Sequence, residues 1–206
     1  GDLDDPLLTE RKENTSFALA DMVTALDGRL IAILGARWQE IEVSTYDYNT
    51  GALGSNYKDD ALTPSVGLVF KATPMISVYG NYAEALLPGD VAPEFVGSDP
   101  VENGGEALSP FRSKQYEAGL KVDTGRYGGT ASLFSITKPT SLIEDRGETL
   151  FFTDNGEQEN RGLEVSIYGE PVDGFRVVGG ATFIEAELQK TQAGLQDGKT
   201  AIGVPE

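Results

Sequence analysis

The chain contains no cysteine and no histidine among its 206 residues. Without cysteine there is neither a disulfide framework nor a thiolate metal site. Without histidine the commonest general base and the commonest transition-metal ligand are gone, which closes Ser-His-Asp, Cys-His and His-zinc chemistry. Basic residues are scarce as well: 16 Lys and Arg stand against 33 Asp and Glu, for a net charge of -17. A surface of that sign repels phosphate backbones, so nucleic acid is excluded as a partner class. No apolar run approaches the ~20 residues of a membrane-spanning helix.

What is abundant is glycine, with 25 residues, and short runs in which polar and apolar residues alternate. Alternation with a period of two describes strands that are half-buried, and frequent glycine marks turns, so the chain reads as all-β. The clearest stretch is Ser113–Thr137, where Tyr116, Ala118, Leu120 and Val122 share one face of a strand and an Asp-Thr-Gly-Arg turn leads into a second strand. Asp123-Thr124-Gly125 is also the aspartic-protease tripeptide, but such sites need two carboxylates sharing a proton. A single copy between alternating runs reads as a turn.

In chain order, residues 1–13 read as a polar tail, and Asn14–Leu26 as a strand closed by the hairpin signal Asp27-Gly28. Arg29–Tyr48 is too long for an ordinary globular strand. Asn49–Asp60 reads as a loop, and Ala61–Lys71, with Pro64 near its start, as a strand. A turn at 72–75, a strand over Ile76–Leu86 and a long loop over Leu87–Arg112 follow. The second strand of the Ser113 hairpin runs toward Leu142. Glu144–Asn160 reads as a polar loop interrupted by Thr149–Thr153, a candidate strand extension above the sheet. Strands from Arg161 and over Phe175–Leu188 are joined by the turn at 171–174, and a polar tail ends at Val204-Pro205-Glu206.

About eight strands result, with connections alternating strictly between short and long. That alternation is the signature of an antiparallel, up-and-down transmembrane β-barrel with short periplasmic turns and long external loops. Both ends of the chain fall on the long-loop side, as expected of a segment cut from a longer barrel. Two other architectures are compatible with the pattern. One is a complete small outer-membrane barrel serving as anchor or adhesin; the other is a soluble β-sandwich binding carbohydrate through aromatic loops.

Three runs, Thr63–Leu86, Ser109–Asp123 and Gly156–Phe183, resemble the barrel of TonB-dependent siderophore receptors. The resemblance rests on Ser77, Tyr79 and Tyr82 in the first run, on Lys114, Tyr116, Glu117, Gly119 and Lys121 in the second, and on Arg161, Gly162 and Glu164 in the third. It implies a partial barrel domain over residues 1–206, from a barrel of roughly 22 strands with a plugged lumen. The plug, the earlier strands and the closing strand are expected to lie outside this sequence. It further implies residence in the outer membrane of a Gram-negative cell and uptake of a ferric siderophore. Outer-membrane lipid and TonB are the implied partners, TonB being reached through the plug region. No enzymatic activity, catalytic residue or cofactor is implied, the ferric siderophore being cargo.

A flat, often anionic siderophore complex suits aromatic stacking and arginine pairing. Residues of those types at the ends of the long loops are Tyr46, Tyr48, Tyr57, Phe95, Phe111, Arg112, Phe151 and Phe152. For each, packing of one loop against another is the competing role. Tyr79, Tyr82, Tyr116, Tyr127, Tyr168 and Phe183 lie near strand ends, and about half are expected to form aromatic girdles. The acidic pairs Asp4-Asp5 and Asp59-Asp60 lack the spacing of a calcium loop and read as solvated charge.

Overall fold

The computed structural model describes residues 6–147 and 149–202. The first five residues and the final Val204-Pro205-Glu206, read above as loop and tail, lie outside the described residues, as does Asp4-Asp5. Ten strands are present among the described residues: β1 (Glu10–Ala25), β2 (Leu30–Tyr46), β3 (Leu53–Lys71), β4 (Ile76–Leu87), β5 (Phe95–Val96), β6 (Asp99–Pro100), β7 (Phe111–Asp123), β8 (Tyr127–Asp145), β9 (Leu150–Val172) and β10 (Phe175–Lys190). Eight of them form one antiparallel sheet in the order β1-β2-β3-β4-β7-β8-β9-β10, while β5 and β6 pair only with each other. Every long strand lies beside its sequence neighbour, which is up-and-down topology. β1 and β10 are the two edges and do not pair with one another, so these strands do not close as a small barrel. A single sheet also excludes the sandwich.

The register shows that the strands are tilted. One row of laterally paired residues runs Leu30, Phe70, Val78, Leu120, Ala131, Val165, Ala181. β2 begins on that row, whereas Ile76, Tyr127 and Phe175 begin their strands two, four and six positions before it. The turn side therefore steps by about one residue per strand. With a rise of about 3.4 Å and a strand spacing of about 4.8 Å, that stagger corresponds to a tilt of about 35°, the slope of a closed barrel wall.

One face of this tilted sheet carries an apolar band. Its upper boundary falls between Trp38 and Glu40 on β2, Leu62 and Asp60 on β3, Tyr82 and Glu84 on β4, and Tyr116 and Lys114 on β7. It continues between Leu133 and Ser135 on β8, Leu163 and Arg161 on β9, and Phe183 and Glu185 on β10. The boundary crosses register rows in the same sense as the turns, so the band is level while the strands slope. From Leu30 to Trp38 it spans about 20–25 Å along the normal, the height of a barrel's lipid-facing belt. Its side chains are bare within the chain, with Leu133 and Phe183 each 64% exposed. Tyr116, Ala118, Leu120 and Val122 belong to it, as the alternation of β7 predicts. Asp21 of the edge strand β1 is the exception, placed opposite Leu34 inside the band.

The other face is polar. Tyr79 Oη donates to Glu117 Oε1 (2.6 Å), and Thr130 and Ser166 hydroxyls meet across β8 and β9 (2.6 Å). Tyr79 and Tyr168 lie on this face, opposite Gly119 and Gly128, and so are not girdle residues. Tyr82, Tyr116, Tyr127 and Phe183 lie on the apolar face near the edges of its band.

On the turn side, Asp27-Gly28 sits inside a wider connection in which Leu26 (φ 52°), Asp27 (φ 55°) and Gly28 (φ 80°) are all left-handed. Glycine accepts that conformation freely and Asp tolerates it, while Leu26 pays about 1 kcal/mol. On the opposite side several boundaries differ from the sequence expectation. β1 starts at Glu10 within the expected tail. β3 starts at Leu53, so the expected 49–60 loop shrinks to the short connection after Tyr46. Pro64 then falls mid-strand, just where the β3–β4 ladder stops at Ser65 and Ala83, because β3 above it has no β4 partner needing a proline N–H. β8 and β9 run to Asp145 and from Leu150, which replaces most of the 144–160 loop with paired strand.

The physical reason is the same in each case. Above the apolar band the strands leave the lipid-facing belt and neither face has to be continuously apolar, so the alternation that marks them fades, although Ile41, Val43 and Phe152 are buried there by neighbouring segments. The strands there are also held by polar cross-strand pairs, such as Thr45 with Ser55 (2.7 Å), Asn56 with Glu42 (2.8 Å) and Lys58 with Glu40 (2.9 Å). Lys58 is held more firmly protonated than usual by its hydrogen bond to Glu40.

A candidate ligand-contact rim

The strand extensions and connections above the band form a rim that carries all eight aromatic and arginine candidates. At the β2–β3 tip, Asp47 organises a six-residue connection. Its Oδ1 accepts from Asn49 N (3.0 Å), Thr50 N (2.8 Å) and Thr50 Oγ1 (2.8 Å). Those donors, the Thr50 hydroxyl first, hold its carboxyl below the ordinary range. Tyr46 is half-buried at the end of β2, while Tyr48, next to Asp47, is 43% exposed.

Tyr57 lies on the polar face of β3 beside the buried Val43. Its hydroxyl donates to Asp59 Oδ2 (3.1 Å). Burial, and then that carboxylate, push the phenol well above its usual range. Asp59 and its neighbour Asp60 point to opposite faces, Asp60 accepting from Trp38 Nε1 (2.8 Å), so the acidic pair does not converge.

Phe111 and Phe152 are buried, at 4% and 8% exposure, which leaves little of either ring open to a ligand. Arg112 lies on the same face as the apolar band, just above it. Its Nη1 donates to Leu62 O (3.0 Å) and to Glu84 Oε2 (3.0 Å), and Glu84 also receives the Tyr82 hydroxyl. Arg112 thus ties β7 across the gap where β4 and β3 have parted. Phe151 is half-buried under Arg146, whose guanidinium carbon stands 3.7 Å from the ring centroid. Phe95, on the small β5–β6 hairpin, is 60% exposed.

Phe151 and Phe152 are brought together with the β4–β7 connection. Tyr46 and Tyr48 belong to a separate tip. The candidates that stay open are Tyr48, Phe95, Arg112 (44% exposed although paired with Glu84) and the Arg146–Phe151 stack. Arg146 carries no sequence signal beyond its charge, and Asn103, which bonds to Phe152 from 49 residues away, carries none at all. Between the β8–β9 tip and the segment after β10 lies a cavity of about 640 Å³ lined by Ile143, Asp145, Arg146, Asn155, Lys190 and Asp197. Its size is in the range of small-molecule sites.

Comparison with known proteins agrees with this architecture. Over 203 residues the chain is 36% identical to the ferrichrome receptor FcuA of Yersinia enterocolitica, covering 98% of this chain and 26% of that receptor. The ferrichrome outer membrane transporter/phage receptor of Escherichia coli is 24% identical over 180 residues, covering 86% of this chain and 22% of its own length. Among solved structures, BauA, the ferric preacinetobactin receptor of Acinetobacter baumannii, superposes with a TM-score of 0.80 at 39% identity, over 95% of this chain and 28% of BauA. The chain spans about a quarter of the length of these relatives. A family model described as "TonB dependent receptor-like, beta-barrel" matches residues 4–206, and the chain belongs to that family of TonB-dependent receptor β-barrels.

Proposed function

We propose that this chain is wall and external rim of an outer-membrane receptor that takes up a ferric siderophore in a TonB-dependent manner. The observation that carries the reading is the level apolar band on eight tilted strands, with a polar opposite face and an aromatic-bearing rim above. The band faces lipid and the polar face, with Glu117 and Glu164, faces the lumen. The rim meets the ligand. TonB is engaged through parts of the receptor outside this chain, and iron is cargo. No reaction is catalysed.

The similarity to FcuA supports ferrichrome as the first ligand to test. The net charge of -17 favours a complex that is not strongly anionic. The test is iron uptake from ferrichrome by cells with and without the intact gene. Loss of uptake from ferrichrome, with uptake of ferric citrate preserved, is expected. Equal uptake by both strains would refute ferrichrome as the cargo.

A further inference from the structure

The β4–β7 connection, residues 88–110, has a length at which connections are usually mobile or functional. Here it is folded. Ala92 N–H donates to Glu106 O (2.8 Å), Leu108 N–H to Asp90 O (2.9 Å) and Val101 N–H to Glu94 O (3.0 Å). Ala92 and Val101 are buried together with Phe152 of β9, and Leu108, Ile143 and Leu150 pack around them.

The seam with β9 is closed by main-chain groups. β10 ends opposite Glu157, so the upper end of β9 overhangs with one side unpaired by β10. Residues 101–103 take that place. Val101 bridges Leu150 in parallel, Glu102 N–H donates to Leu150 O (2.8 Å), and Asn103 acts as a strand residue through its side chain. Asn103 Nδ2 donates to Phe152 O (2.9 Å), and its Oδ1 accepts Phe152 N–H (2.9 Å). An amide supplies both donor and acceptor at the required spacing, which neither a carboxylate nor an aliphatic side chain can do. Asn103 is 8% exposed, so its loss strands both Phe152 groups away from water. The other side-chain links among the described residues, Ser141 Oγ to Asp90 (2.7 Å), Thr149 Oγ1 to Glu102 (3.4 Å) and Arg146 to Glu102 (3.7 Å), are exposed and weak.

We propose that Asn103 is a positioning residue of the rim: it fastens the β4–β7 connection to the overhanging end of β9. Phe95 is then presented on a fixed platform, not on a lid that closes after capture. The inference rests on the rim being the ligand-contact surface. Preorganisation of this kind raises affinity by removing the ordering cost from the binding step.

The test uses the full-length receptor in detergent or in cells. In Asn103→Leu, amide exchange at Phe152 and across residues 90–108, measured without ligand, should accelerate about tenfold or more, as loss of a buried hydrogen-bonded pair requires. Ferrichrome affinity should fall by about tenfold on the same grounds. A disulfide between Val101→Cys and Leu150→Cys replaces the fastening, since a lateral bridge sets strands about 4.8 Å apart, within disulfide reach. The chain itself offers no competing cysteine. The disulfide should restore affinity in Asn103→Leu until a reductant is added, and in the otherwise unaltered receptor it should leave iron uptake unchanged. Uptake that is blocked by the disulfide and recovered on reduction would overturn the proposal, as would unchanged exchange in Asn103→Leu. Accelerated exchange in a receptor that never binds ferrichrome would instead refute the ligand reading and uphold the fastening.

Discussion

Tyr79 on β4 lies flat over Gly119 on β7, its direct lateral partner, and its hydroxyl reaches Glu117 two residues along. A Cβ placed on Gly119 would stand 2.6 Å from the Tyr79 ring. Ser-x-Tyr on one strand and Tyr-Glu-x-Gly on the next, separate motifs in the sequence, are therefore two halves of one contact. Phe134 over Gly162 and Tyr168 over Gly128 repeat it on the same face, and Tyr127 over Gly169 on the other. Gly119→Ala should destabilise the receptor by about 1–3 kcal/mol through overpacking against the ring. Tyr79→Ala in the same chain should recover part of that loss. Thermal unfolding of the four receptors of the cycle in detergent measures the coupling; independent, additive losses would mean that the ring and the glycine do not constrain each other.

Phe95 and Phe111 are both rim phenylalanines, yet one is 60% exposed and the other 4%. Phe95→Ala should leave the unfolding temperature unchanged and weaken ferrichrome binding by about tenfold, the loss typical of an aromatic contact residue. Phe111→Ala should cost about 3–5 kcal/mol of stability by opening a cavity at the start of β7, where the ring is buried beside Leu87. Titration and melting of both variants separate the two roles. A destabilised Phe95→Ala would put that residue among the packing groups as well.

The eight strands of the main sheet, their antiparallel order and the face that carries the apolar band were readable because one physical rule governs them, whereas the two-residue strands β5 and β6 are too short to show it. Wherever one face meets apolar surroundings and the other water, the sequence must alternate, and Tyr116, Ala118, Leu120 and Val122 do so. Residues 53–60 and 150–160 escape that rule, because they stand above the apolar band, where Asp, Asn, Lys and Glu suit a strand as well as a loop and burial such as that of Phe152 comes from segments far along the chain. The candidate site was legible only as composition. Phe152 and Phe95 look alike in sequence, and what buries one is Asn103, 49 residues away, through backbone bonds that no local pattern records.

Glu159 sits just above the apolar band and takes the Arg161 guanidinium and the Ser135 hydroxyl (2.8 Å). These, Arg161 first, hold its carboxyl below the ordinary range. A carboxyl whose folded pKa is lowered contributes its stabilisation above its unfolded value of about 4.3 and loses it as pH falls through the folded value. Glu159→Gln should therefore lower stability near neutral pH by at most about 1 kcal/mol, the partner being largely exposed. The difference from the unaltered receptor should close as pH falls below 4.3 toward the lowered folded value. Urea unfolding at neutral and acid pH reads this directly, and a gap that widens on acidification would contradict the assignment.

Asp21 interrupts the apolar band on β1. It faces the same side as Leu34, its lateral partner, and within the chain its Oδ1 is engaged by the adjacent Met22 N–H (2.8 Å). Among the described residues no cation pairs with it, and on barrel walls an ionised side chain in the lipid belt costs about 2–4 kcal/mol for cations and less for acids. Replacing it with an apolar residue that suits a strand should remove the penalty. Asp21→Val is accordingly expected to stabilise the receptor by about 1–2 kcal/mol in lipid, within the acidic end of that range. Unfolding in bilayer vesicles compared with unfolding in a thin detergent shell tests the cause as well as the sign. A lipid penalty predicts that the gain shrinks in detergent, where water reaches the wall. A loss of stability in both media would instead mean that the carboxylate serves a strand lying beyond β1, and that this edge is an interface whose polar partner is supplied by the rest of the receptor.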